Sequence, residues 1–214
     1  MVRYFPVALR LQGRRCLVVG GGSVATRRIE SLLDAGADVR VVALVAGAEI
    51  RALAETGRVD LILTPFQSEH LEGMFLVVCA ADNPEVNAAV AAEAARRGVL
   101  CNDAETPDRG DFVVPSVVRR GDLLITVMTG GGSPALASRL REEMEARYGP
   151  EYAAYVALLG EVRACALRDL PDSAQRKRVL TALAQDDSIL ALLREGRAEE
   201  ARGRAFRCIS SSSA

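Results

Sequence analysis

An apolar run, Cys16-Leu-Val-Val19, passes directly into Gly20-Gly-Gly-Ser-Val-Ala25. A strand must therefore end in a tight turn that opens a helix. Gly20, Gly22 and Ala25 fit the spacing G-x-G-x-x-G/A. In that pattern the first glycine permits the turn. The second lets the backbone approach a pyrophosphate, and the small third residue keeps the helix close to its strand. The first free N–H groups of the helix then point outward, where the helix dipole favours negative charge. Gly20, Gly21, Gly22, Ser23 and Val24 are the expected phosphate contacts. A glycine turn that merely joins strand to helix, with no ligand, is the competing reading.

The alternation of strand and helix recurs as far as Asn102. Strands are predicted at 16–19, 39–44, 59–64, 75–80 and 99–102, and helices at 24–35, 46–55 and 84–97. Near-continuous apolar strands separated by helices predict an α/β protein, a Rossmann-type parallel sheet with helices on both faces. The carboxyl ends of such strands form the ligand crevice. Leu44 and Val45 are then expected to line a ribose, and Ala80, Ala81 and Asp82 to face the nicotinamide end. Asp82 or Asn83 also suits the cap of the next helix, and Pro84 its first turn. About 20 residues past the glycines such folds carry an acid for the ribose hydroxyls. The second strand ends here in Val41-Val-Ala-Leu44 instead, with no acid and no adjacent Arg. These residues do not choose between NAD and NADP.

The pattern changes after Asn102. Residues 103–111 are polar and aperiodic, and carry Asp103, Glu105, Asp108 and Asp111. A carboxylate at this sheet edge suits a general base if burial tunes it; a solvated acidic loop is the competing reading. Strands at 112–118 and 123–128 come next, joined by Arg119-Arg-Gly-Asp122. A second glycine run, Thr129-Gly-Gly-Gly-Ser-Pro134, opens a helix from 135 to about 148. Ser133 as cap and Pro134 at the first position explain the helix start. The three glycines exceed what a cap needs and expose N–H groups to an anion, with Arg139 and Arg141 just beyond. Helices are expected at 151–168, 173–185 and 188–205. The domains are drawn at 1–111, 112–149 and 150–207, with a disordered tail at 208–214.

Composition excludes several alternatives. The 214 residues carry a net charge of −1 and no Trp, so neither a field nor a stacking surface recommends nucleic acid. No apolar run approaches a membrane span of about 18 residues, and the N-terminus lacks a signal-peptide core. The five cysteines are dispersed without C-x-x-C, which suits a reduced, cytoplasmic protein. His70 is the single histidine, so neither a His-based metal site nor a His triad is expected; it reads as a surface residue in a polar loop.

The ordered set of segments resembles the precorrin-2 dehydrogenase family, found alone or as the N-terminal part of siroheme synthase. The resemblance runs from Tyr4-Phe-Pro-Val and Leu11-Gly-Arg-Arg through Val18–Ala25 and Leu32-Leu-Asp-Ala-Gly-Ala37. It continues through Ala80-Ala-Asp-Asn-Pro-Glu-Val-Asn87, Cys101-Asn102, Asp111–Ser116 and Arg119–Leu123 to Thr129-Gly-Gly-Gly-Ser-Pro-Ala-Leu-Ala137. It implies an NAD-dependent homodimer that oxidises precorrin-2 to sirohydrochlorin, with Fe²⁺ insertion in some members. It also implies that the polycarboxylate substrate meets Asn102, Thr129, Gly130, Gly131, Ser133 and Arg139. The family's catalytic Asp stands in a motif like N-x-x-D-x-P. Here the segment is Asn102-Asp-Ala-Glu105-Thr-Pro107, so Glu105 takes that place and Asp103 is a displaced alternative. That departure leaves metal insertion open. A non-catalytic nucleotide-sensing module, and a sirohydrochlorin chelatase with little dehydrogenase activity, are the competing functions.

Overall fold

The computed structural model describes residues 3–210. Five parallel strands form one sheet: β1 (Arg15–Val19), β2 (Asp38–Ala43), β3 (Asp60–Leu63), β4 (Leu76–Cys79) and β5 (Leu100–Asp103), in the order β3-β2-β1-β4-β5. Register is fixed by pairs such as Val18 with Val41 and Val78. Successive side chains of a strand point to opposite faces, and both faces are buried. Cys16, Val18, Val41 and Val78 pack under α1 (Ser23–Asp34) and α2 (Ala48–Glu55) through Ala25, Ile29 and Ile50. Leu17, Val19, Val77, Cys79 and Cys101 pack on the other face under α3 (Pro84–Arg97) through Val90, Ala91 and Ala94. Each fully buried Val or Leu contributes roughly 1.5–3 kcal/mol.

The helix ends are written locally. Asn83 resolves the choice of cap on α3, because its side chain accepts the Glu85 N–H at 2.8 Å. Pro84 occupies the first position, Gly98 closes the helix in the left-handed region, and Arg96 and Arg97 sit in the last turn, where the dipole favours them. His70 departs from the expected loop. It lies half-buried in a short 3₁₀ turn, Ser68–Leu71, and its Nδ1 accepts the Gln67 N–H at 3.0 Å.

The chain divides into two compact units, Phe5–Val114 and a second formed by the residues from Pro115 onward with Arg3 and Tyr4 from the start of the chain. The second holds an antiparallel ribbon, β6 (Ser116–Arg120) and β7 (Leu123–Val127), turned at Gly121. The strand expected at 112–118 is therefore shorter and later, and Arg119 and Arg120 belong to it rather than to the turn. Five helices complete the unit: α4 (Pro134–Arg147), α5 (Glu151–Asp169), α6 (Ser173–Ala184), α7 (Asp187–Arg194) and α8 (Ala198–Ser210). The helix expected at 188–205 is two helices, because Gly196 adopts φ 74° and breaks the run. α8 continues to Ser210, three residues into the expected tail; residues 211–214 lie outside the described residues. Tyr155, Leu158, Val162 and Ala166 line one stripe of α5 and meet Val179, Leu183, Ile189, Ala201 and Ala205. Among the described residues no helix is long and apolar enough to cross a membrane.

Candidate functional site: a crevice at the switch point of the sheet

β1 and β4 are neighbours, but β1 feeds α1 on one face and β4 feeds α3 on the other. The segments that follow the two strands therefore leave toward opposite faces, and a crevice opens above the strand ends. Gly20 sits at its floor with φ 135°, and its N–H donates to Val42 O at 2.9 Å. A Cβ at Gly20 would lie 2.1 Å from Ala80 O, so only glycine fits. Gly21 is equally confined, since its Cβ would lie 1.9 Å from Val45 O. Its carbonyl accepts the Gly47 N–H at 3.0 Å, which ties the turn to the loop after β2. Gly21 therefore serves packing first, a role that motif spacing does not reveal.

Gly22 is different. Nothing lies nearer a Cβ there than Asp82 Oδ1 at 3.8 Å, and Gly22 caps α1 without any side chain. The N–H groups at Ser23 and Val24 open onto free space. An uncapped helix N-terminus beside an empty glycine cradle fits a pyrophosphate. Ala25 is fully buried against the strands, as the spacing requires. Leu44 and Val45 stand 72% and 74% exposed beyond β2, an apolar lip at the cradle's flank. Arg51, from α2, is fastened to this loop by its Nε on Ala46 O at 3.0 Å, a basic group that reading only the strand's end overlooks. Asp82 is exposed at the mouth; a carboxylate there repels phosphate and suits a hydroxyl.

The far side of the crevice is built by side chains holding backbone. Ala80 is buried, and its N–H donates to Val19 O at 2.8 Å. Both polar groups of Ala81 are taken by the Asn87 amide, at 3.1 Å and 2.9 Å. Both backbone groups of Ala81 are thus already engaged within the protein.

The acidic loop after β5 is not uniformly solvated. The Asp103 side chain is fully buried, and its Oδ1 accepts the Glu105 and Thr106 N–H groups at 3.0 Å and 2.9 Å. Its Oδ2 lies 3.4 Å from Arg109, which also donates to Pro84 O at 3.3 Å. Asp103 therefore builds the turn. Asp111 accepts the Cys101 N–H at 2.9 Å. Glu105 is exposed, and its carboxylate has no partner among the described residues. Asn102 is buried; its Nδ2 donates to Phe112 O at 2.9 Å, and its Oδ1 is unpartnered. Below, Cys79 and Cys101 approach to 3.6 Å, and the Cys79 thiol is pushed up by that hydrogen bond and by burial.

In the second unit the glycine run closes on itself. Thr129 Oγ1 donates to Ser133 O at 3.0 Å and accepts the Ser133 N–H at 3.2 Å, while Ser133 Oγ caps α4 at Leu136 N. Both hydroxyls are thus engaged within the loop. Gly130 and Gly131 have φ of 61° and 83° and face open space. Arg139 is paired with Glu143 at 3.2 Å, and Arg141 with Glu142 and Glu145. Both arginines just beyond the glycines are therefore paired with glutamates, and the N–H groups of Gly130 and Gly131 are the freer anion donors.

The strand order and the glycine cradle define a Rossmann-type dinucleotide-binding protein. Residues 7–116 match the family described as "Putative NAD(P)-binding", and the chain belongs to that family. It is 36% identical over 193 residues to siroheme synthase 1 of Aeromonas salmonicida, covering 90% of this chain and 41% of that protein. It is 37% identical over 198 residues to the siroheme synthase of Methylococcus capsulatus, covering 92% and 42%. The chain thus spans about two fifths of the length of these curated relatives. Among solved structures it superimposes on SirC, a precorrin-2 dehydrogenase, with a TM-score of 0.77 and 29% identity, over 95% of this chain and 100% of that one.

Proposed function

We propose that this chain is an NAD-dependent precorrin-2 dehydrogenase, oxidising precorrin-2 to sirohydrochlorin in siroheme biosynthesis. The observation that carries this reading is the likeness to the precorrin-2 dehydrogenase structure, which spans that whole chain. The glycine cradle supports it with a place for the cofactor's phosphates. Bound NAD⁺ supplies a hydride acceptor. The chain's residues supply the rest. The α1 N-terminus with Gly22 holds the pyrophosphate, and Leu44 and Val45 flank the ribose. Asp82 accepts a hydroxyl proton at the crevice mouth. Removal of a hydride from the substrate leaves one proton to be taken, and the free Glu105 carboxylate is its acceptor. Asp103 and Arg109 hold the loop that carries Glu105. The N–H groups of Gly130 and Gly131, with Arg139 on α4, take substrate carboxylates, and Asn102 Oδ1 is an acceptor for a substrate N–H. The working protein is a cytoplasmic homodimer.

An anaerobic assay with precorrin-2 and NAD⁺ tests this. NADH and the sirohydrochlorin spectrum are expected to rise together, and Gly22→Asp should abolish both by placing a charge in the cradle. Intact precorrin-2 and no NADH would overturn the dehydrogenase reading in favour of a nucleotide-sensing module. Addition of Fe²⁺ to the product then tests metal insertion. A spectral change faster than the protein-free rate would mean a bifunctional enzyme, in which Glu105 in place of the family's Asp suffices.

A further inference from the structure

We infer that Asn87 is a positioning residue for the bound dinucleotide, setting the cradle through the Ala81 peptide; the inference rests on the dinucleotide-binding reading above. Asn87 lies in the first turn of α3 and is 1% exposed. Burying an amide is costly unless its donor and acceptor are both satisfied. Both are satisfied by one partner residue: Ala81 N–H donates to Oδ1 at 3.1 Å, and Nδ2 donates to Ala81 O at 2.9 Å. The helix start does not need this pair. Asn83 already caps α3 and Pro84 already fills its first position. The Asn87 amide instead acts as a strand-like partner for the turn leaving β4.

That turn is where the cradle is braced. The carbonyl of Ala80 occupies the space a Gly20 side chain would need, 2.1 Å from the would-be Cβ, and Ala81 N lies 2.8 Å from the same point. Gly20 therefore rests directly on the Ala80–Ala81 peptide, and among the described residues no other side chain bonds that peptide. A shift of the peptide moves Gly20, and with it Gly22 and the open N–H groups of α1. Asn87 itself touches no ligand atom; its influence passes through backbone.

Titration of the whole chain with NAD⁺ by calorimetry tests the inference. Asn87→Ala should weaken binding at least tenfold, and the KM for NAD⁺ should rise while kcat at saturating NAD⁺ stays within about twofold. Asn87→Asp, of the same shape but without the donor to Ala81 O, should weaken binding as well, and carries the test if the alanine variant does not fold. Val90→Ala, one turn further along α3 and fully buried, loosens the same helix without touching Ala81. It should lower the melting temperature and leave NAD⁺ affinity near wild type. Wild-type affinity in both Asn87 variants, or an equal loss in Val90→Ala, would overturn the positioning role. Wild-type protein that binds no NAD⁺ would overturn the dinucleotide reading itself, and this inference with it.

Discussion

Two acids two residues apart show how burial assigns roles. Asp103 and Glu105 both come after the core of β5, and spacing alone recommends either as a base. Asp103 is enclosed, with its oxygens on two N–H groups and a guanidinium. Glu105 stands in solvent, and its carboxylate is free. The two substitutions should therefore separate stability from turnover. Asp103→Ala removes the charged acceptor of two loop N–H groups and a guanidinium and should cost about 1–3 kcal/mol. Glu105→Ala should change stability by less than about 0.5 kcal/mol, as surface substitutions do, while lowering turnover far more than NAD⁺ affinity. Urea unfolding beside steady-state kinetics checks both. Equal destabilisation by the two would mean that Glu105 is structural as well. Thr129 and Ser133 behave alike: the hydroxyls that look available in the sequence are closed onto the loop that carries them.

Helices and strands were the most legible level. The bounds of α3 were readable to the residue, because its proline, its alanines and its terminal glycine act within a few positions of one another; its cap lies open between Asp82 and Asn83 in the sequence, and the structure chooses Asn83. The breaks were harder. Gly196 looks no different from a helical glycine until the chain turns there, and Pro115 delays β6. α3 also carries a measurable electrostatic device. Arg96, then Arg97, hold the Glu93 carboxyl down from 4.5 to about 2. A carboxyl lowered in the folded state stabilises above its unfolded value, and that contribution is lost as pH falls through the folded one. Stability should therefore decline between about pH 4.5 and about pH 2 in part through this group. Glu93→Gln should flatten that part of the acid limb by lowering the neutral plateau, while stability at the acid end stays nearly unchanged. Thermal melts across that range decide it, and an identical acid limb in the variant would remove Glu93 as a cause.

At the scale of the whole molecule, two cores belong to two units. Leu183 is fully buried in the helical core with Tyr155, whose hydroxyl donates to the Leu183 carbonyl at 3.2 Å. Leu183→Ala should cost that unit about 2–5 kcal/mol. Hydrogen exchange should show the loss in α5 to α8 and leave β1 to β5 protected as before. Uniform loss of protection would mean one cooperative unit. The amino-acid sequence by itself determined the parallel sheet, its covered faces, the bounds of α3 and the Ser133 cap of α4. Those arise from hydrophobic period and from hydrogen bonds that reach three or four residues. Only the tertiary structure decided that Gly20 rests on Ala80, that Gly21 abuts Val45, that Asn87 holds Ala81, and that Asp103 rather than Glu105 is enclosed. Those depend on which atoms surround a residue after the chain has folded. A carboxylate or an amide has the same chemistry in the sequence whether water or backbone will be its partner.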